Sequence, residues 1–557
     1  MKTIDNIIFR IDRKKQVAVD LTILILVSLA CLAPFLGKAL HMDDPMYVWA
    51  ARQIQTNPLD FYGFTINWST QEIPMFEIMK NPPLASYYIA LVASLFGWAE
   101  RTLHAAFLLP ALAAVIGTYY LSREFCGTPL LAALAGILTP VFLLSSTTVM
   151  CDIMMLSFWV WAAFMWVRGM KNDSAGSLLC AAFLITLSSL TKYYGMSLIP
   201  LLFTYSLIKK RTLGRWTLFL LIPVLVLSAY QWLTYTLYGR GLLMDASSYA
   251  LAHQTIDSET MFAKIMTGLF FTGGCFISVL FFSYVLWQRQ TLAIVAVAAA
   301  PVVFYYILQI VPNGLQYDYD KSLNWLFILQ CYLFSIAGIG VLMLALSDLR
   351  RGKDADSFLL FAWIAGTLLF SCFLNWTVSG RSVLPMLPAI GILLARRIEH
   401  RKALHDMMTA RYILLPLTLS LVVSISVVRA DYLWADTVHQ EAVKISTLYK
   451  NDFSTLWFQG HWGFQYYMEM HGGKALDRKN SLIARGDRVV TPSNNTNVIP
   501  LPEDLFELIH VDRITPCGWL STSNRLTGAG FYSSLYGPLP FVIDRVPSQE
   551  YSVFLAK

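Results

Sequence analysis

The sequence predicts an α-helical polytopic membrane protein that carries a small α/β domain at its C-terminal end. Three observations lead there. Of 557 residues, 56% are hydrophobic and 14% charged, a balance far from that of soluble globular chains. Apolar stretches of roughly 17 to 25 residues recur down most of the chain, each long enough to cross a hydrocarbon core of about 30 Å as a helix. The basic residues sit in the short segments between them, where the positive-inside rule uses them. A transmembrane barrel would show short alternating segments instead, so helices are expected. The net charge of +7 is not gathered into the patch or stripe that nucleic acid would need.

The first span is expected over 20–37. The basic stretch before Val17 and the apolar run after it resemble a signal peptide, and Ser28-Leu29-Ala30-Cys31 resembles a lipoprotein cleavage box with a serine where an aliphatic residue is wanted. Because many spans follow, the segment reads as an uncleaved first span. Further spans are expected over 103–121, 129–146, 153–168, 175–190, 194–208, 216–236, 263–286, 291–311, 323–346, 357–375, 382–395 and 412–429, thirteen in all. With the N-terminus cytoplasmic, Lys209-Lys210-Arg211, Arg350-Arg351 and Arg396-Arg397 fall inside and the C-terminus falls outside.

Residues 81–97, "NPPLASYYIALVASLFG", are apolar and nearly long enough to cross, yet a crossing there would invert every later loop. They are therefore expected to form a re-entrant or juxtamembrane helix within a large external loop over 38–102. Pro82-Pro83 favours a break before that helix, since the residue preceding a proline avoids helical angles. The chain then divides into a membrane domain, 1–430, and an external α/β domain, 431–557. In the latter, "STLWFQGHWGFQYYMEMHGG" reads as a strand, a glycine turn and a short helix closed by glycines. "RVVTPSNNTN" and "PFVIDRVPSQEYSVFLA" read as strands and loops. Trp457, Trp462, Tyr466 and Tyr467 offer aromatic faces for sugar stacking, though their spacing suits the core of a small domain better. The eight cysteines form no CxxC pair and read as buried apolar residues.

This topology gathers a few charges on the outer face. Asp43 and Asp44 open the first external loop, Asp152 lies in the second, Lys192 in the third, and Arg381 marks a further outer boundary. Ionisable groups at membrane depth are costly, which makes each a candidate functional residue. Each also has a structural reading. Asp43 or Asp44 before Pro45 suits a helix N-cap, Asp152 the same, and Lys192 and Arg381 can snorkel to the interface.

In combination the motifs resemble the GT-C superfamily of membrane glycosyltransferases, in the branch of protein O-mannosyltransferases and the lipid A aminoarabinose transferase. "DDPMYVWAARQI" resembles the Asp-Glu-x-x-Tyr-x-x-x-Ala motif, with Asp43, Asp44, Tyr47 and Ala51 in register. "NPPLASYY" resembles a Lys-Pro-Pro-Leu stretch, "MCDIMML" the second-loop aspartate, "LTKYYG" a Leu-Thr-Lys-Gly, and "RSVLPMLP" an Arg-Tyr-Leu-Leu-Pro-x-x-Pro. Two positions depart. Asn81 stands where the family has lysine, with Lys80 one position earlier, and Asp44 replaces glutamate.

The resemblance implies a GT-C fold in a bacterial inner membrane, with the C-terminal domain periplasmic. It implies transfer of a sugar from a polyprenyl-phosphate donor to a lipid A, glycan or protein hydroxyl, with inversion. Asp43 is then the general base, Asp152 and Asp44 supporting carboxylates, Lys192 and Arg381 the donor-phosphate residues, and Lys80 and Tyr47 accessory. The residue types suit that chemistry: basic groups meet charge developing on the departing phosphate, and a carboxylate takes the acceptor proton. A divalent cation, Mg²⁺ or Mn²⁺, is left open, as are His41 and His253 as ligands. Two other classes stay in view. A transporter or flippase would be marked by an internal repeat, which is absent from the sequence, and a non-catalytic binding protein would tolerate asparagine at Asp43 and Asp152.

Overall fold

The computed structural model describes residues 2–253, 258–311, 314–317, 322–404, 411–449 and 454–557. Among them, eight helices are long and apolar enough to cross a membrane: Lys14–Phe35, Glu100–Ser122, Cys151–Asn172, Trp216–Tyr238, Arg289–Gln309, Trp325–Gly352, Ala355–Leu374 and Arg411–Leu448. Leu225 and Trp232 on one of these, and Ile294 and Val297 on another, are exposed, as side chains facing lipid tails would be. The remaining expected spans hold shorter or interrupted helices. Ala175–Thr191 and Leu198–Lys210 are separated by a tight 3-10 turn, Tyr193–Ser197.

The expected span over 129–146 is broken in two, Pro129–Ile137 and Pro140–Ser145. Pro140 explains the break, because Thr139 before it is held extended at φ −117°, ψ 149°. The break frees the Leu138 carbonyl inside the protein, and the hydroxyls of Ser420 and Ser424 donate to it. Neighbouring helices commonly satisfy freed backbone groups in this way where water is absent. Elsewhere small residues let helices touch. A Cβ on Gly273 would lie 1.8 Å from the Phe334 carbonyl oxygen, so Ser258–Cys275 can meet Trp325–Gly352 at that level only with glycine there.

Residues 81–97 form the helix Leu84–Phe96, with 13 residues. At about 1.5 Å per residue this is too short to cross the bilayer. It packs on Asp44–Thr56, and the Gln55 side-chain amide donates to the Ala90 carbonyl at 3.1 Å. Lys171 meets Glu124 at 3.1 Å, Lys209 meets Asp356 at 3.2 Å and Arg396 meets Asp348 at 2.9 Å, so the loops assigned to one side do come together at one end.

The last long helix, Arg411–Leu448, runs past residue 430 as one rod and carries Asp431 into the protein beyond. After it, a five-stranded mixed sheet has the order Lys474–Ala475, Leu456–Phe458, Arg488–Pro492, Gln549–Ala556, Phe506–Ile514. Leu456–Phe458 is parallel to both neighbours; Gln549–Ala556 is antiparallel to its own, with Val553 opposite Val490. The helix Trp462–Met470 packs this sheet onto the membrane domain. The Leu40 N–H donates to the Tyr467 hydroxyl at 2.7 Å, and a Cβ on Gly463 would lie 2.2 Å from the Leu40 carbonyl oxygen. Trp462, Tyr466 and Tyr467 are buried in that packing.

Candidate functional site

The chain leaves its first span through the 3-10 turn Ala33–Phe35, passes the buried Lys38 and His41, reverses at Met42 with φ 50°, and enters the helix Asp44–Thr56. The two adjacent aspartates then do different things. Asp44 is fully buried, and its carboxylate accepts the His41 N–H at 2.9 Å and the Val149 N–H at 2.8 Å. It thereby clamps the second outer loop to the first. Burial pushes the Asp44 carboxyl up to about 7, against the opposing pull of Lys38 and those two N–H groups. Asp43, the residue preceding the helix, makes no capping bond with its side chain. Its carboxylate instead pairs with Arg381 at 2.9 Å.

Asp152 lies in the first turn of Cys151–Asn172 and is buried. One carboxylate oxygen accepts from the Lys192 ammonium at 2.5 Å, and the other is buried with no hydrogen-bond partner among the described residues. Lys192 reaches it because the chain turns sharply after Thr191. Gly195 is essential to that turn, since a Cβ there would lie 2.4 Å from the Ser188 carbonyl carbon. Arg381 opens the short helix Gly380–Val383, which Ser379 and Ser382 close with a reciprocal capping box. Its guanidinium meets Asp43 at 2.9 Å and the Met150 sulfur at 3.0 Å, and lies in the field of the Asp152 carboxylate as well. Tyr47 completes the group: its hydroxyl donates to the Cys151 sulfur at 3.0 Å and accepts from the Asn81 amide at 3.1 Å.

Asp43, Tyr47, Asp152, Lys192 and Arg381 thus converge on one cluster, and Asp44 sits behind it as a clamp. Lys80 turns elsewhere: its ammonium pairs with Asp245 at 2.5 Å and lies 5.2 Å from the Tyr249 ring centre. Asn81 makes the contact to Tyr47 instead.

The amino-acid sequence over 80–235 matches the family described as dolichyl-phosphate-mannose-protein mannosyltransferase. That match includes Asp152 and Lys192 and stops before Arg381. No curated protein sequence matches the chain. The structure is similar to that of ArnT from Cupriavidus metallidurans bound to undecaprenyl phosphate, at 12% identity and a TM-score of 0.52, covering 86% of this chain and 93% of that one. The apo state of the same protein gives a TM-score of 0.47. The oligosaccharyltransferase of Archaeoglobus fulgidus, tethered to an acceptor peptide, gives 12% identity and a TM-score of 0.48, covering 83% of this chain and 64% of that one. The chain has the GT-C type of fold.

Several residues of the site carry no motif. Tyr532 packs its ring under Arg381 at 5.6 Å and accepts from the guanidinium through its carbonyl at 3.4 Å. Asp431 and Lys38 form a fully buried ion pair at 2.6 Å beside them. Lys38 could have been noticed as a charge at a span end, and Asp431 as an acid directly after an expected span; nothing marked Tyr532. His41 is buried edge-on to Trp434 at 4.3 Å, and burial pushes its imidazole down to about 3, so it is neutral. His253 is exposed, with Nδ1 2.9 Å from the Tyr249 carbonyl. Among the described residues no three His, Cys, Asp or Glu side chains gather so as to hold a metal ion. Asp43 and Asp152 each pair with a basic side chain.

Proposed function

We propose that this protein is a glycosyltransferase that moves a sugar from a polyprenyl-phosphate donor to an acceptor hydroxyl at the outer face of the membrane. One observation carries the reading: two basic side chains and two carboxylates from four separate loops meet in one cluster, with Arg381 in the field of both acids. Isolated snorkelling or capping would not bring them together. The match to a mannosyltransferase family over 80–235 and the GT-C fold support it.

The reaction follows from the residues. The acceptor oxygen attacks the anomeric carbon, its proton passes to the Asp43 carboxylate, and the bond from that carbon to the phosphate oxygen breaks with inversion. The polyprenyl phosphate leaves with the bonding electrons, and Arg381 and Lys192 balance the negative charge that grows on it. The Asp152 pairing fixes where the Lys192 ammonium sits, while its second oxygen is available to a sugar or acceptor hydroxyl. Asp44 holds the loops that carry Asp43 and Asp152 in register. A lipid donor suits a site at the ends of spanning helices, because the prenyl chain stays in the bilayer while the phosphate meets the protein near the interface. The acceptor is a lipid A, glycan or protein hydroxyl, and the membrane is a bacterial inner membrane with the sheet domain periplasmic.

The test offers purified protein in liposomes a panel of polyprenyl-phosphate sugars with cell-envelope extract as acceptor, with Asp43→Asn alongside. Removing a general base costs roughly a hundredfold or more in turnover. Equal behaviour of the two proteins, with donor bound and never consumed, would sink the assignment and favour a binding or transport role.

A further inference from the structure

Arg381 is flanked by a segment 151 positions later in the chain. Around Tyr532 that segment docks along the Arg381 loop through its backbone. The Gly380 N–H donates to the Phe531 carbonyl at 2.7 Å, and the Ser534 N–H to the Val378 carbonyl at 2.8 Å. Ser534 also accepts the Val378 N–H on its hydroxyl at 3.2 Å, and the Thr377 and Ser533 hydroxyls lie 3.0 Å apart. A Cβ on Gly380 would strike the Phe531 ring at 2.5 Å, so the close approach depends on glycine.

The fit continues inward. The Tyr532 hydroxyl donates to Asp431 Oδ2 at 2.8 Å, the Lys38 ammonium donates to the same oxygen at 2.6 Å, and Thr522 donates to Oδ1 at 2.7 Å. Lys38 stands just upstream of Asp43 in the same loop. One buried carboxylate therefore ties down both sides of the Arg381–Asp43 pair, through Lys38 on one side and Tyr532 on the other. A guanidinium presents its five N–H groups in one rigid plane, so what fixes that plane fixes where the unused N–H groups point.

We propose that the C-terminal domain completes the donor-phosphate site, with Tyr532 as the positioning residue that sets the plane of Arg381 and Asp431 as the anchor behind it. The proposal rests on the reading of Arg381 as a phosphate-binding residue. It assigns the domain a part in donor recognition, where docking alone would require only the contacts of Trp462–Met470 with the first loop.

The experiment uses full-length protein in detergent and undecaprenyl phosphate as the probe, comparing wild type, Arg381→Ala, Tyr532→Phe and Tyr532→Leu for affinity and thermal midpoint. A cation held over a partly desolvated ring corresponds to roughly three- to thirtyfold in affinity. The expected result is a loss of about tenfold for Tyr532→Leu, while Tyr532→Phe, which gives up the same hydrogen bond to Asp431 and so lowers the midpoint as well, keeps binding to within about threefold of wild type. A merely structural tyrosine would not give that separation. If Tyr532→Leu cannot be purified, Tyr532→Met fills similar space and carries the same comparison. Binding by Tyr532→Leu or Tyr532→Met equal to wild type, while Arg381→Ala loses it, overturns this inference and leaves the site reading intact. Binding that is unaffected by Arg381→Ala, or absent from wild type, overturns the reading and the inference together.

Discussion

Lys38→Met is expected to cost the protein about 3–5 kcal/mol of stability. The lysine ammonium lies 2.6 Å from Asp431 Oδ2, and neither side chain is exposed to any degree. Removing it leaves a carboxylate with only the Thr522 and Tyr532 hydroxyls as donors among those described. Two neutral hydroxyls do not offset the loss of an ion partner in a dry interior, which is why breaking such a pair costs more than never having built it. The double variant Lys38→Met with Asp431→Leu removes both charges together. Its remaining cost is the two hydroxyls left without an acceptor, about 1–3 kcal/mol for each that finds no new partner. The double is thus expected to be far less destabilised than the sum of the singles, with a coupling of at least about 3 kcal/mol. Thermal and denaturant unfolding of detergent-solubilised protein, followed by tryptophan fluorescence, measures all four corners of the cycle. A cost under about 1 kcal/mol for Lys38→Met, or simple additivity in the double, would refute the claim that this pair is a buried, mutually dependent anchor.

Two further outcomes are expected. Lys192→Ala removes the ammonium 2.5 Å from Asp152, and steady-state kinetics with the donor varied should show a loss of roughly 10- to 100-fold in kcat/KM, the worth of a hydrogen bond to a charged group; an unchanged value would remove Lys192 from donor binding. Asp44 provides a pH signature: its folded value is pushed up to about 7, above an ordinary value of about 4. Between those limits the folded protein holds a proton that the unfolded chain has released, so stability falls as pH rises through the window and levels off above it. Melting curves across that range should show this slope, and Asp44→Asn should flatten it while costing about 1–3 kcal/mol throughout, because an amide oxygen can serve only one of the His41 and Val149 N–H groups. A slope that survives in Asp44→Asn would place its origin in another group.

Much of the site was legible because membranes make charge conspicuous. Asp43, Asp152, Lys192 and Arg381 stood out as ionisable residues at span ends, and Tyr47 through the motif that resembles the GT-C family's. The division of labour between the two aspartates was not legible. Both suit a position before Pro45, and only the reversal at Met42 turns Asp44 inward to Val149 and leaves Asp43 facing Arg381. Lys80 drew notice as the basic residue beside the prolines, yet Asn81 is the one whose side chain reaches Tyr47. Asp431 looked like the first residue of a polar domain, whereas the helix carries it on toward Leu448 and buries it.

What the sequence determined by itself is what lipid acts on locally: which segments are apolar enough to enter the bilayer and which are polar enough to stay out of it. Those outcomes depend on the transfer free energy of short stretches, which can be added up along the chain without knowing its neighbours. Only the tertiary structure decided which charges meet. Arg381 and Asp43 stand 338 positions apart, and Lys38 and Asp431 stand 393 apart. Their pairing depends on how helices pack, through a glycine that admits a carbonyl and a serine that satisfies a broken turn. Such contacts are set by shape in three dimensions, and no window of sequence contains them.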